Sequence, residues 1–354
     1  MHRVAIIGCG RMGQQYAEAY TTFPDTEVVA IAEHNPERRD AVGRRFGVKA
    51  LYPDAPSLLN DIVPDIAAII TPSRLYKDAV IACAKAGVKG ISCDKPIAAV
   101  LSDADEMVEI CASRGIVFAG GNLQRAMNEL QEAARKLRAG EFGQIIGAAI
   151  HQWGNGEISG GGCQHVSALR LLTGAEVEAV MAWATPKEIL DSSNDNGLRV
   201  NGRFLLTSGV ECSVFSEANP YQGADVWTAD SLVRWNWGPP EMYRGFEDDG
   251  TRKRLHHEYA PYDWNQFGYL TGSIRSFIAA IETGSELAVS GHDLRQALEV
   301  AIAARESARL GAVPIKLPLK DRSLSLYPRA YRWSGGDAEG RAQPISEALG
   351  GPRL

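Results

Sequence analysis

The sequence has few of the features that mark membrane, secreted or nucleic-acid-binding proteins. No apolar run in its 354 residues approaches the roughly 18 that a transmembrane helix needs. Its start has neither the charged region and apolar stretch of a signal peptide nor a twin-arginine leader. The 37 basic residues form no cluster and the net charge is −6, so we expect neither nucleic acid nor an anionic membrane as a partner.

Paired cysteines are also missing. None of the six cysteines belongs to a Cys-x-x-Cys pair, and scattered cysteines in a chain of this size are usually small buried residues. We therefore expect a reduced, cytoplasmic protein without a metal site.

The composition predicts a globular protein with two domains. Hydrophobic residues make up 45% and charged residues 23% of the chain, which are ordinary values for globular proteins. At about 150 residues per domain, the length favours two. Because the pattern of apolar residues changes near residue 122, we predict one domain over 1–122 and a second over 123–354.

The first 122 residues alternate short apolar runs with helical segments. The runs lack polar alternation, which is typical of strands buried on both faces of a parallel sheet. Such alternation predicts an α/β fold, here a Rossmann dinucleotide-binding domain. The predicted strands are Val4–Ile7, Val28–Ala32, Asp65–Ile70, Val88–Cys93 and Ile116–Ala119; the predicted helices are Gln14–Tyr20, Pro36–Phe46, Leu75–Ala86 and Ser102–Arg114, the last with Ser102 and Asp105 as a capping box.

The remaining residues predict an α+β domain. Val210, Cys212 and Val214 alternate with more polar neighbours, as in a strand whose sheet has two unlike faces. Strands are predicted at 145–153, 177–184, 203–208 and 210–217, and helices at 128–139, 166–173, 266–283 and 293–310, with Ser290 as a cap of the last.

A glycine-rich loop follows the first predicted strand and opens the first helix, with the sequence Gly8-Cys9-Gly10-Arg11-Met12-Gly13. In a G-x-G-x-x-G loop placed in this way, the first glycine makes the turn, the second lets a pyrophosphate approach the backbone, and the third lets the helix pack closely. We predict cofactor contacts at Gly8, Gly10, Arg11, Met12 and Gly13. An ordinary βα turn is the less favoured interpretation.

Glu33, which ends the next predicted strand, indicates which dinucleotide binds. A carboxylate in this place accepts hydrogen bonds from the ribose hydroxyls and repels a 2′-phosphate, so it favours NAD over NADP. Arg38 and Arg39 follow closely and could weaken that preference. Solvated helix charges are an equally good interpretation of the two arginines, of which we retain Arg38 as a cofactor contact.

Two later strands of this domain also end in polar segments, Thr71-Pro72-Ser73 and Asp94-Lys95-Pro96. The carboxyl edge of an open α/β sheet is where ligands bind. We therefore predict cofactor contacts at Thr71, Pro72, Lys95 and Pro96. Lys95 is also a catalytic candidate, because its cation can stabilise a developing alkoxide; a surface lysine in a loop is the plainer interpretation.

The segment Ser159-Gly160-Gly161-Gly162-Cys163-Gln164-His165 leads into a predicted helix. An imidazole can take a proton from a hydroxyl as hydride leaves the same carbon, so we predict His165 as the proton-transfer residue. A capping or packing histidine explains its placement equally well. The predicted substrate contacts are Gln124, Trp153, Asn155 and Gln164. Core packing is an equally good interpretation of Trp153.

Together these motifs resemble the Gfo/Idh/MocA oxidoreductase family, the glucose–fructose oxidoreductase and inositol dehydrogenase group, over nearly the whole chain. The resemblance implies that Lys95 contacts cofactor and substrate. It also implies that the second domain presents a large open, mostly antiparallel sheet, which often forms the interface of a homo-oligomer, here a dimer or tetramer. The motifs are the glycine loop, Ala32–Arg38, Thr71–Ser73, Ala86–Val88, Asp94–Ala98, Arg138–Gly143 and the helix after Ser290.

The sequence departs from the family pattern around His165. Family members have an aspartate four residues before the histidine and another three after it, where this chain has Gly161 and Ala168. Counting back from Gly174 instead puts Gln164 in the histidine position and Ser167 in the later aspartate position. Both aspartates are absent in either register.

The sequence as a whole predicts an NAD-dependent oxidoreductase that transfers hydride between nicotinamide and a secondary hydroxyl or ketone of a sugar, cyclitol or related polyol. Two alternatives remain open. Bound NAD could oxidise the substrate transiently to assist glycoside cleavage or epimerisation. The protein could also be a non-catalytic dinucleotide-binding regulator, which the missing aspartates favour.

Overall fold

The computed structural model describes residues 1–192, 194–216, 222–255 and 269–327. The described residues divide into two compact units. Residues 1–122 and 269–295 form the N-terminal unit, and residues 123–255 and 296–327 form the sheet unit. The sequence-based division at residue 122 assigns 269–295 to the second domain, whereas these residues pack with the first.

The helices are α1 (Arg11–Thr22), α2 (Pro36–Phe46), α3 (Ala55–Asp61), α4 (Tyr76–Ala86), α5 (Leu101–Ser113), α6 (Asn128–Arg138), α7 (Cys163–Thr173), α8 (Tyr269–Thr283) and α9 (Gly291–Arg309). The strands are β1 (His2–Ile7), β2 (Thr26–Ala32), β3 (Ala50–Tyr52), β4 (Ile66–Ile69), β5 (Gly90–Cys93), β6 (Val117–Ala119), β7 (Gly147–His151), β8 (Val177–Thr185), β9 (Arg199–Leu206), β10 (Glu211–Phe215), β11 (Gly223–Trp227), β12 (Ser231–Trp235), β13 (Glu241–Phe246), β14 (Arg252–Leu255) and β15 (Ile315–Lys316). No helix among the described residues is long and apolar enough to span a bilayer.

The N-terminal unit contains a six-stranded parallel sheet in the order β3-β2-β1-β4-β5-β6. Strands β4 and β5 are buried at every residue, which explains why their sequences show no polar alternation. The predicted Rossmann fold is confirmed. Because all strands run in one direction, the segments that follow β1, β2, β4 and β5 meet at one carboxyl edge.

The ends of three helices can be compared with the predictions. The predicted bounds of α2 are confirmed; the Asn35 side chain accepts the Arg38 amide at its start, and Gly47 ends the helix in the left-handed region at φ 68°. Ser290 and Asp293 form a reciprocal capping box at the start of α9. The Ser102 cap was wrong, because α5 begins one residue earlier, at Leu101, after an N-cap without a side-chain bond.

The sheet unit contains a nine-stranded sheet in the order β14-β13-β12-β11-β7-β10-β9-β8-β15. Every pair in its described strands is antiparallel except β7 with β10, so the prediction of a mostly antiparallel sheet is confirmed. In β10 the buried residues Cys212 and Val214 alternate with exposed or half-buried ones. The opposite face leaves Trp183, Leu205 and Phe215 exposed.

Helix α7 begins at Cys163, three residues earlier than predicted. Gln164 and His165 therefore lie in its first turn rather than in a loop before it. Gly174 ends the helix at φ 66°, in the left-handed region, as predicted.

Candidate functional site

The glycine loop of the N-terminal unit has the geometry that requires glycine. Gly8 has φ +94°, and a Cβ there would lie 2.7 Å from the carbonyl oxygen of Ile70. A Cβ on Gly13 would lie 1.9 Å from the carbonyl oxygen of Gly8. Any side chain at either position would push the loop away from its neighbours, so the loop depends on both glycines.

The loop leads directly into the N-terminus of α1. Gly10 is the N-cap and has no side chain to cap the helix, and the first turn contains no acidic residue. The partial positive charge at this helix end, which begins with Arg11 and Met12, is therefore not neutralised by the helix itself. These features fit the pyrophosphate of a dinucleotide.

Glu33 is buried beneath the glycine loop, only 4% exposed. One carboxylate oxygen, Oε2, accepts the backbone N–H of Cys9 at 2.8 Å, and the other, Oε1, accepts that of Asn35 at 2.9 Å. Glu33 thus fastens the glycine loop to the end of β2. Since a carboxylate oxygen has two lone pairs, Oε2 keeps room for a ribose hydroxyl.

The two arginines after Glu33 both turn back toward it. Arg38 Nη2 lies 3.4 Å from Glu33 Oε1, and Arg39 Nη1 donates to the Glu33 carbonyl at 3.1 Å. They are therefore not simply solvated helix charges. Their guanidinium groups are occupied at the residue that we predict to select against a 2′-phosphate.

Lys95 and its neighbours lie at the same carboxyl edge, after β5. The backbone N–H of Lys95 donates to Asp94 Oδ1 at 2.7 Å, and Lys95 Nζ lies 4.0 Å from the same oxygen. The Lys95–Pro96 peptide bond is cis. Thr71 and Pro72 follow β4, the neighbouring strand, so the predicted contacts of this unit gather at one edge.

His165 in the sheet unit is enclosed by aromatic rings. Its ring centroid lies 5.6 Å from that of Trp235 and 5.1 Å from that of Trp237, and the two indoles stack at 5.0 Å. The histidine is 0% exposed. Burial lowers the pKa of His165 to about 3, against the opposing effect of the Gly161 and His151 backbone carbonyls. The imidazole is therefore neutral at physiological pH, the form that can accept a proton.

Gln124 and Gln164 form a buried amide network beside this cluster. The backbone N–H of Gln124 donates to Gln164 Oε1, and Trp235 Nε1 donates to Gln124 Oε1, both at 2.8 Å. The two glutamines are 2% and 3% exposed. In this structure they hold α7 and Trp235 in place, while their contact with substrate stays a prediction.

The predicted stacking role of Trp153 is not supported. Its ring is 1% exposed, packs edge-on against Phe204, and donates from Nε1 to the Gly162 carbonyl at 3.0 Å. A ring enclosed in this way has no open face for a sugar, so we assign it to the core of the sheet unit. Asn155 ends the short 3-10 turn that begins at Trp153, and its side chain lies outside the described residues.

His151 does not belong to the His165 cluster. It lies on β7 opposite Phe215 of β10, on the sheet face that is not covered by α7. Its Nε2 is 3.3 Å from Asp225 Oδ2, and Arg234 donates twice to the same carboxylate. The His151 side chain and the His165 side chain therefore lie on different sides of the sheet.

A buried acid that no sequence motif indicates lies at the glycine segment before α7. Asp195 is 0% exposed, and its Oδ2 accepts the backbone N–H of Ser159 at 2.7 Å. Burial, with the nearby Glu157, raises the pKa of Asp195 to about 7. Because 36 residues separate Asp195 from Ser159, no local motif could have indicated this contact.

Comparison with known proteins agrees with this geometry. Residues 2–121 match the Gfo/Idh/MocA family model, described as an oxidoreductase family with an NAD-binding Rossmann fold. The N-terminal third of the chain is therefore similar to the Gfo/Idh/MocA oxidoreductases. The match agrees with the NAD-binding Rossmann domain that the glycine loop predicts.

Relatives and solved structures cover nearly the whole chain. The chain is 26% identical to D-apiose dehydrogenase of Paraburkholderia graminis over 87% of its length and 88% of the relative's. It is 27% identical to inositol 2-dehydrogenase of Rhizobium meliloti over 86% and 96%. An Agrobacterium radiobacter oxidoreductase, solved in complex with NAD+, L-tartaric acid and magnesium, has the same fold at a TM-score of 0.71 and 21% identity, covering 89% of this chain and 98% of the other.

Proposed function

We propose that this protein is a Gfo/Idh/MocA oxidoreductase that transfers hydride between NAD and a secondary hydroxyl or ketone of a sugar, cyclitol or related polyol. The observation that carries the cofactor assignment is the glycine loop fastened by Glu33 at the N-terminus of α1. Support for the substrate class comes from the names of two relatives that span nearly the whole chain, an apiose and an inositol dehydrogenase.

The cofactor contacts would be shared among the loops at the carboxyl edge of the parallel sheet. We propose that Gly8, Gly10, Arg11, Met12 and Gly13 hold the pyrophosphate and that Glu33 takes the adenosine ribose, with Arg38 steadying its carboxylate. Thr71, Pro72, Lys95 and Pro96 are proposed to line the same edge further along. Bound NAD supplies the acceptor for the hydride.

Two residues are proposed to handle the hydroxyl proton and the charge that develops on oxygen. The Lys95 cation would stabilise an alkoxide, since opposite charges attract strongly where water is excluded. His165 would accept the proton as a neutral imidazole. Its low pKa makes it a weak base, so we expect it to pass the proton on rather than retain it.

We also propose that the enzyme works in the cytoplasm as a homo-oligomer. All six cysteines are free and buried, as expected for a reducing compartment. The uncovered face of the nine-stranded sheet exposes the apolar side chains of Trp183, Leu205 and Phe215, which favours contact with a second copy.

The test is NADH formation with a panel of sugars, cyclitols and open-chain polyols, with NADP in a parallel series. We expect one substrate class to reduce NAD, with activity lost in both Lys95→Ala and His165→Ala. Conversion of substrate without net NADH would instead support the transient-oxidation alternative. If NAD binds and nothing is converted, the regulator is favoured and our proposal fails.

A further inference from the structure

The two tryptophans that enclose His165 are held very differently. Trp235 is 0% exposed, ends strand β12, and is fixed through the bond from its Nε1 to Gln124 Oε1. Trp237 lies two residues beyond the strand and is 40% exposed. Its backbone has φ +57°, a left-handed conformation that bulky residues rarely adopt. The Trp235 side chain is thus held in place, whereas the Trp237 side chain is exposed and its backbone is strained.

His165 lies beside these two rings with the Gly161 and His151 backbone carbonyls nearby, but without a hydrogen bond of ordinary geometry. Neither of its ring nitrogens has a hydrogen-bond partner among the described residues, although the side chain is 0% exposed. A buried polar group without a hydrogen bond destabilises the folded protein, and native proteins seldom contain one without a functional reason. Because the side chain is 0% exposed, no substrate hydroxyl can reach either nitrogen in this arrangement.

We propose that Trp237 is a specificity-determining residue of the His165 site: its indole covers the imidazole in the free protein, and a ring-shaped substrate gains access by displacing it and then stacks against it. Backbone strain concentrates at such positions because it is relieved when the segment moves. The carbon-bound hydrogens of a sugar or cyclitol ring form a flat apolar face that suits an indole, whereas an open-chain polyol has none. The inference that a ring-shaped substrate stacks on Trp237 rests on the proposed function. The inference that Trp237 covers His165 in the free protein does not.

The covering is tested without any substrate, by acylation with diethyl pyrocarbonate, which reacts with neutral, accessible imidazoles. Peptide mass spectrometry gives the rate at His165 in the wild type, Trp237→Ala and Trp237→Phe, with His34, 84% exposed, as internal reference. Trp183→Ala is the matched control, since it removes another exposed indole of the same unit. We expect slow labelling of His165 in the wild type and the control, and at least about tenfold faster labelling in Trp237→Ala. Equal rates in wild type and Trp237→Ala would overturn the proposal.

The specificity is tested with the substrates found in the NADH panel. In Trp237→Ala we expect KM for a ring substrate to rise about tenfold, the size of a lost aromatic stacking contact, with kcat not reduced and with partial recovery in Trp237→Phe. KM for an open-chain polyol should change little. An equal rise for both substrate shapes, or no rise, contradicts the stacking role. A panel without any turnover refutes the proposed function instead, and the labelling rates still decide whether Trp237 covers His165.

Discussion

Replacing the buried Asp195 by asparagine should stabilise the protein in a pH-dependent way. The fold raises the pKa of this carboxyl from 3.8 to about 7, chiefly by burial. A carboxyl whose pKa is higher in the folded state than in the unfolded state destabilises the fold once it ionises. The penalty is absent below about pH 4, grows as the pH rises, and is complete above about pH 7.

The size of the effect follows from the two pKa values. They differ by about three pH units, and each unit corresponds to about 1.4 kcal/mol, so the ionised carboxylate costs about 4 kcal/mol. Asparagine keeps an oxygen that can accept the Ser159 amide and carries no charge. The gain in unfolding free energy from Asp195→Asn should therefore increase by up to about 4 kcal/mol between pH 4 and pH 8.

Urea unfolding of the full chain at a series of pH values measures this difference. Asp191→Asn is the control, because Asp191 is an exposed aspartate of the same segment. A gain from Asp195→Asn that is the same at pH 4 and pH 8, or a loss that grows with pH, would refute the reasoning.

Three further substitutions test the N-terminal loop and the glutamine network. Gly13→Ala should abolish NAD binding measured by calorimetry, because its Cβ would lie 1.9 Å from a loop carbonyl oxygen. Glu33→Ala removes the acceptor of two backbone amides and releases its arginine partners, so the preference for NAD over NADP should fall at least about tenfold in paired titrations. Gln124→Leu leaves the buried Trp235 Nε1 without its acceptor, and we expect a loss of about 1–3 kcal/mol in urea unfolding.

Each of these substitutions has an outcome that would contradict its reasoning. Gly47→Ala serves as the control for Gly13→Ala, since a Cβ at Gly47 meets nothing within 4 Å; equal effects on NAD binding would show that close approach in the loop is irrelevant. An unchanged ratio of NAD to NADP affinity in Glu33→Ala would exclude Glu33 as the selecting residue. Unchanged stability of Gln124→Leu would mean that its bond to Trp235 contributes nothing.

The parallel sheet was predictable because its buried strands have a recognisable sequence pattern, an apolar run without polar alternation. Residues of β4 and β5 are apolar or small at nearly every position and buried at all of them. Strand β3 was missed, since its three residues are only half-buried and leave too short a pattern to detect. The early start of α7 was missed because Cys163 follows three glycines, which favour turns and hide the first turn of a helix.

The dinucleotide loop was predictable for a different reason, since its chemistry depends on glycines at fixed spacing. Contacts between distant residues have no such signal. The bond between Asp195 and Ser159 and the enclosure of Trp153 arise only when separate segments pack together. An aromatic residue in a sequence looks the same whether it will line a site or fill a core, which is why the sequence left both roles open for Trp153.

Transfer of a deuteride from substrate to cofactor is the most direct test of the central claim. The protein would be incubated with NAD and the carbon-deuterated form of a sugar or cyclitol from the panel, and the reduced nicotinamide analysed by mass spectrometry. Our account predicts NADH that carries one deuterium atom from the substrate carbon, with none in His165→Ala. Substrate that is consumed while the nicotinamide gains no deuterium would contradict it.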